Sequence, residues 1–157
     1  MRKRQIAPNI LTEPPSGQVW LDIDRIASVE VTSEEDGYPI EPTLIGTENP
    51  GWRAANPGTQ TIRLVFDEPQ TLKRIWLVFE DIEHTRTQEF VLRWTQGREH
   101  SFREIVRQEW NFSPHGSVRE IEDYAVKLSD VMVLELIIVP DKSGGEARAA
   151  LRSFRLA

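Results

Sequence analysis

Residues 51–80 read GWRAANPGTQTIRLVFDEPQTLKRIWLVFE, and this stretch decides the fold. From Gln60 to Phe66 the pattern alternates. Ile62, Leu64 and Phe66 share one face, and Thr61, Arg63 and Val65 share the other. A period of two is the mark of a half-buried strand. Asp67-Glu68-Pro69-Gln70 interrupts the run, because proline brings no N–H to a ladder. Alternation resumes from Leu72, with Ile75, Leu77 and Phe79 on one face and Arg74, Trp76, Val78 and Glu80 on the other. A strand, a short acidic Pro turn and a second strand predict an antiparallel hairpin.

Outward from this core the chain stays β-rich. Val19–Ile26 and Ala27–Thr32 are short strand candidates. Phe90–Trp94 is a strand with Phe90, Leu92 and Trp94 on one side. Phe102–Trp110 and Ser117–Leu128 also fit a helical spacing, but a strand is favoured for both. Val131–Val139 is the most apolar run; it is short, β-branched and ended by Pro140, which predicts a central strand. Asp141–Glu146 is a Gly-rich turn and Ala149–Leu156 a closing strand. Residues 1–18, with Pro8, Pro14, Pro15 and Gly17, form an irregular arm, and residues 19–157 form one domain.

In order and spacing, these pieces resemble the discoidin, or coagulation-factor type C, family. The matching features are Trp52 after a Gly/Asn/Thr-rich loop, the strand opening Gln60-Thr61-Ile62-Arg63-Leu64, and the Asp67-Glu68-Pro69 turn. Leu72–Leu77 follows, then a Thr95–Phe102 hairpin similar to the family's Ser-x-Asp-Gly-x-x-Trp. The resemblance covers residues 25–157. It implies an all-β, galactose-binding-domain-like jelly-roll sandwich of about eight antiparallel strands. It also implies binding loops at one end, with Trp52 plugging that end.

The segment between residues 33 and 59 is long for a loop in a compact domain, and such loops tend to carry function. Tyr38, Trp52 and Arg53 are its candidate ligand contacts. Glu34, Glu35 and Asp36 beside Gly37 are candidate Ca²⁺ ligands, since hard cations take converging loop oxygens. Family relatives hold a structural Ca²⁺ near this loop, although Arg152 and Arg155 would oppose one here. The Glu80–Glu89 connection supplies Asp81, Glu83, His84 and Arg86 where sugar-binding relatives place an Arg and an Asn. The loop Trp110–Gly116 adds Trp110 and His115, an aromatic and a planar polar group of the kind used in sugar or peptide sites.

Composition bounds the rest. The chain has 157 residues, 39% hydrophobic and 28% charged, with no cysteine. This suits one globular domain with no disulfide framework. No apolar run follows the basic Arg2-Lys3-Arg4, and no stretch reaches the ~20 apolar residues of a membrane span. These features set the expectation of a cytoplasmic protein. The net charge of −6 argues against nucleic acid as a partner. There is no Walker or dinucleotide Gly loop, no Gly-x-Ser-x-Gly and no His-Glu-x-x-His, so no catalytic motif is present. The expectation is a non-catalytic module without a cofactor beyond that Ca²⁺. It would bind carbohydrate through end loops; the alternative is protein interaction inside a larger assembly, marked by an exposed apolar patch at Trp76 or Trp94.

Overall fold

The computed structural model describes residues 1–3, 14–46, 50–97 and 101–157. Most of the expected arm, and His100 in the expected hairpin, lie outside the described residues. Among the described residues eight strands form: β1 (Ala27–Val31), β2 (Trp52–Arg53), β3 (Gln60–Glu80), β4 (Arg86–Thr95), β5 (Arg103–Phe112), β6 (Arg119–Val139), β7 (Ala150–Leu151) and β8 (Ser153–Leu156). Two short helices are α1 (Ile23–Ile26) and α2 (Glu41–Ile45). All pairings are antiparallel. The all-β jelly-roll sandwich is the architecture expected.

The hairpin across Asp67–Gln70 is not formed. Residues 60–80 are one long strand, and its two halves pair with β6, not with each other. The register slips between Val65 and Gln70, again before Leu72, and again before Arg74. Such bulges bend and twist a strand, and Pro69 cannot keep the ladder regular. Here they carry β3 from one sheet to the other. β6 turns in the same place, at Ser129-Asp130, where Asp130 has φ 56°. Ser117–Leu128 and Val131–Val139 are therefore the two halves of one bent strand.

The result is two layers. The first holds β1, the start of β3, the end of β6, β4 and β5; the second holds β8, the end of β3 and the start of β6. Ile62, Leu64 and Phe66 from the first layer and Ile75, Leu77 and Phe79 from the second are all buried in one core. Phe79 and Phe90 stack across the layers at 5.2 Å between centroids. Such a ring pair adds about 1 kcal/mol beyond its buried area.

Two further expectations are corrected. Val19–Ile26 is not a strand: Leu21 donates to Leu156 O at 2.8 Å, and the next residues turn into α1. The segment 33–59 is not structureless, since it contains α2 and β2. Pro at the start of α2 and Gly46 at its end, with φ 77° and its N–H on Pro42 O, are the local signals.

The candidate functional site

One end of the sandwich is built by the β3–β4 loop, β2 with β7, and the chain between β6 and β7. Ser33 orders the wall that carries β2. Its hydroxyl donates to Gln60 Oε1 at 2.7 Å and accepts from Ala55 N at 3.0 Å, while its carbonyl accepts from Trp52 Nε1 at 3.2 Å. Trp52 is thereby fixed as a plug, 1% exposed. Gly51 precedes it with φ 85°; a side chain there would meet Leu151 O at 2.7 Å. Residues 35–38 make a turn in which Tyr38 N donates to Glu35 O. Gly37 sits at φ 85°, as the third position of a type II turn demands. The turn is tied to β2 by Glu35 N on Arg53 O and Arg53 N on Tyr38 O. Glu35 is so placed beside Arg53.

Asp81 organises the opposite wall. Its Oδ1 accepts the backbone N–H groups of Glu83 and His84 at 2.9 and 3.1 Å, and its Oδ2 accepts Arg86 Nε at 2.7 Å. Burial pushes the Asp81 carboxyl up, but these bonds more than offset it and hold the group below the usual carboxylate range. Arg86 also donates to Pro140 O at 2.6 Å and Gln88 Oε1 at 3.2 Å, with its guanidinium over the Phe112 ring. It is 6% exposed. Arg86, expected as a ligand contact, lines the cleft and also pins the loop through these bonds. His84 is exposed above it, its ring Nδ1 3.2 Å from Asp81 Oδ1.

Between these walls lies an open cleft of about 490 Å³ with Trp52, Ala150 and Leu151 among its lining residues. Its rim carries Glu35, Arg53, Glu83, His84, Arg148 and Arg152. Glu35 stands between two guanidiniums without a short bond to either: Arg53 Nη1 is 3.6 Å away and Arg148 Nη1 3.8 Å. Glu35 Oε2 has no hydrogen-bond partner although it is shielded from solvent. A buried polar atom without a partner is costly, and each such atom asks for an explanation.

The cleft gathers Trp52, His84, Arg86 and Glu35, and leaves out Tyr38, Trp110 and His115. Tyr38 is half-buried with the Arg53 guanidinium 4.3 Å over its ring. Trp110 lies on β5, partly buried against the core, with its Nε1 unpartnered. His115 is exposed in the β5–β6 loop. No broad aromatic platform is therefore presented to the cleft. The expected cation cradle is not assembled either. Glu34 Oε1 accepts Ile40 N at 2.6 Å, Glu35 faces two arginines, and among the described residues no group of three His, Asp or Glu converges. These side chains do not fit a Ca²⁺ ion. Sequence reasoning missed Arg148, whose only signal was its place just after the Gly144-Gly145 turn.

A second polar group sits inside the sandwich. Glu120, fully buried, accepts from Gln88 Nε2 at 3.2 Å and leaves Oε2 unpartnered. Burial, then the neighbouring Glu122, push its carboxyl up to about 9. The apolar patch expected of an interaction module is not displayed: Trp76 is 0% and Trp94 9% exposed. No helix among the described residues is long and apolar enough to cross a membrane.

No family model and no curated protein matches the chain. Solved structures do. A CBM32 module, CBM32-3, of a family 31 glycoside hydrolase from Clostridium perfringens superposes with TM-score 0.64, at 14% identity, over 87% of this chain and 93% of that one. The protein has the galactose-binding-like jelly-roll fold. The CBM32 of AlyQ, in complex with 4,5-unsaturated mannuronic acid, gives TM-score 0.61 at 15% identity over 84% and 95%. The family 32 module of C. perfringens NanJ, in complex with galactose, gives 0.59 at 11% over 83% and 92%.

Proposed function

We propose that this protein is a non-catalytic carbohydrate-binding module of the discoidin type, taking a sugar in the cleft between the β3–β4 loop and the Glu35 turn. The observation that carries it is the Arg53–Glu35–Arg148 cluster. A carboxylate oxygen lacking a hydrogen bond sits beside guanidinium donors that are too far to satisfy it. A pair of sugar hydroxyls supplies what is missing, donating to Glu35 and accepting from an arginine. His84 and Ile82, both exposed on the rim, offer a flat or apolar contact for the ring. Arg86 and Asp81 hold the loop in place. Solved neighbours of this fold that carry a sugar support the reading.

The test is an array of neutral and uronate-containing glycans probed with the wild type, Glu35→Gln and Arg148→Ala. A hit weakened more than tenfold in both variants, and unchanged by EDTA, is expected. A hit that ignores both substitutions places the site elsewhere.

A further inference from the structure

The β4 strand measures the distance to a second site. Arg86 opens it at the cleft and Thr95 closes it at the other end of the sandwich, about 30 Å away for ten extended residues. There a separate cavity of about 450 Å³ is lined by Pro69, Trp94, Gln96, Ser101, Arg103 and Asp130, together with Thr95. The bends of β3 and β6 make it. Pro69 lies in the bulged part of β3, and Asp130 is the turning residue of β6, held at φ 56°. A non-glycine residue in that region is uncommon, and Asp is among those that tolerate it. Gln96 Nε2 donates to Ser129 O at 3.2 Å and ties the end of β4 to the bend.

Arg103 and Asp130 line one cavity with opposite signs, yet neither has an ion-pair partner among the described residues. The Arg103 guanidinium stands 5.7 Å over the Trp94 ring, its direct cross-strand neighbour. The cavity thus offers an indole edge and a proline ring as apolar surface. Around these stand a fork of donors, a carboxylate acceptor and an amide. One charge of each sign in the lining favours a ligand without net charge, and donors and acceptors around an apolar patch suit a polyhydroxylated ring.

We infer that this cavity is a second binding site, for a neutral sugar ring, at the opposite end of the domain from the cleft. With both ends filled, one domain bridges two glycan chains, and effective concentration adds avidity without new contacts.

The test is a ¹⁵N-NMR titration of the protein with methyl β-galactoside, methyl β-glucoside and methyl α-mannoside at millimolar concentration, following the Trp indole and Gly97 amide signals. Saturable shifts at Trp94 and Gly97, lost or weakened at least tenfold in Arg103→Ala and Asp130→Asn but kept in Glu35→Gln, are expected. Asp130→Asn retains the backbone preference while removing the charge. Trp94 and Gly97 signals that stay still with all three glycosides overturn the inference. So do shifts there that survive both substitutions. Because Glu35→Gln disables only the cleft, failure at either end is read separately from failure at the other.

Discussion

The outer face of the larger sheet and the end cleft are built from the same residue types, arginine and glutamate, yet they use them differently. On the sheet, Glu135 of β6 is fully buried between Arg63 of β3, at 2.6 Å, and Arg93 of β4, at 2.5 Å. Further along that face Arg107 bonds Glu89 at 2.6 Å and Glu104 at 2.8 Å. Registry explains it: Arg63 and Arg93 both face Glu135 across the ladder, so neighbouring strands place the charges within bonding distance. In the cleft, Glu35 comes from a turn, Arg53 from the end of β2 and Arg148 from the chain after the Gly144-Gly145 turn, and the gaps stay at 3.6 and 3.8 Å. Around Glu135 strand register sets the distances and the charges satisfy each other; around Glu35 it does not, and Oε2 is left without a hydrogen bond.

Glu120 breaks the pattern most sharply, since it is on a strand yet unmatched by any cation bonded to it. Its folded carboxyl titrates near 9, against 4.5 for the ordinary group. The folded state therefore holds a proton that the unfolded state releases between these values. Stability from this group is full below about pH 4.5 and is lost as pH rises toward 9. Glu120→Gln, which keeps the acceptor for Gln88, is expected to raise the melting temperature by about 10 °C at pH 8 and by little at pH 4.5. Thermal melts at the two values check this; equal shifts at both would show that the proton plays no part.

Glu135→Ala comes next in size. It leaves two guanidiniums without their shared carboxylate and is expected to cost about 2 kcal/mol, or a melting-temperature fall of about 4–8 °C. Glycan binding in the cleft should not change. A drop in binding alongside the drop in stability would erase the distinction between sheet and cleft. Glu35→Gln is expected to do the converse, with stability within about 0.5 kcal/mol of the wild type. Arg119→Ala, which removes an exposed pair with Glu80 at 2.6 Å, is expected to move stability by less than about 0.5 kcal/mol and to leave glycan binding unchanged, the smallest effect of all.

Period-two patterning made the strands legible, because inward residues such as Ile62, Leu64, Ile75 and Leu77 must alternate to share one core, while the sandwich was what the family resemblance implied. The bends were not legible. A proline-bearing break reads as a turn between paired strands, and only the tertiary partner β6 reveals that both halves continue in one direction. The cleft was half legible. His84 and Trp52, which line it, were singled out because a His in a polar loop and a Trp beside a Gly-rich loop are local signals. Arg86 was singled out too, but its structural bond to Pro140 O, 54 positions away, has no local signal. Glu35 was noticed as one of three acids, and its arginines come from β2 and the Gly-rich turn, which no local pattern joins.

The central claim is that Glu35 and its distant arginines read a sugar. The most direct measurement is calorimetric titration of the strongest array glycan into the wild type, Glu35→Gln and Glu135→Gln. The account predicts at least a tenfold weaker Kd for Glu35→Gln, about 1.4 kcal/mol, with no change for Glu135→Gln. Equal affinity in wild type and Glu35→Gln would contradict it.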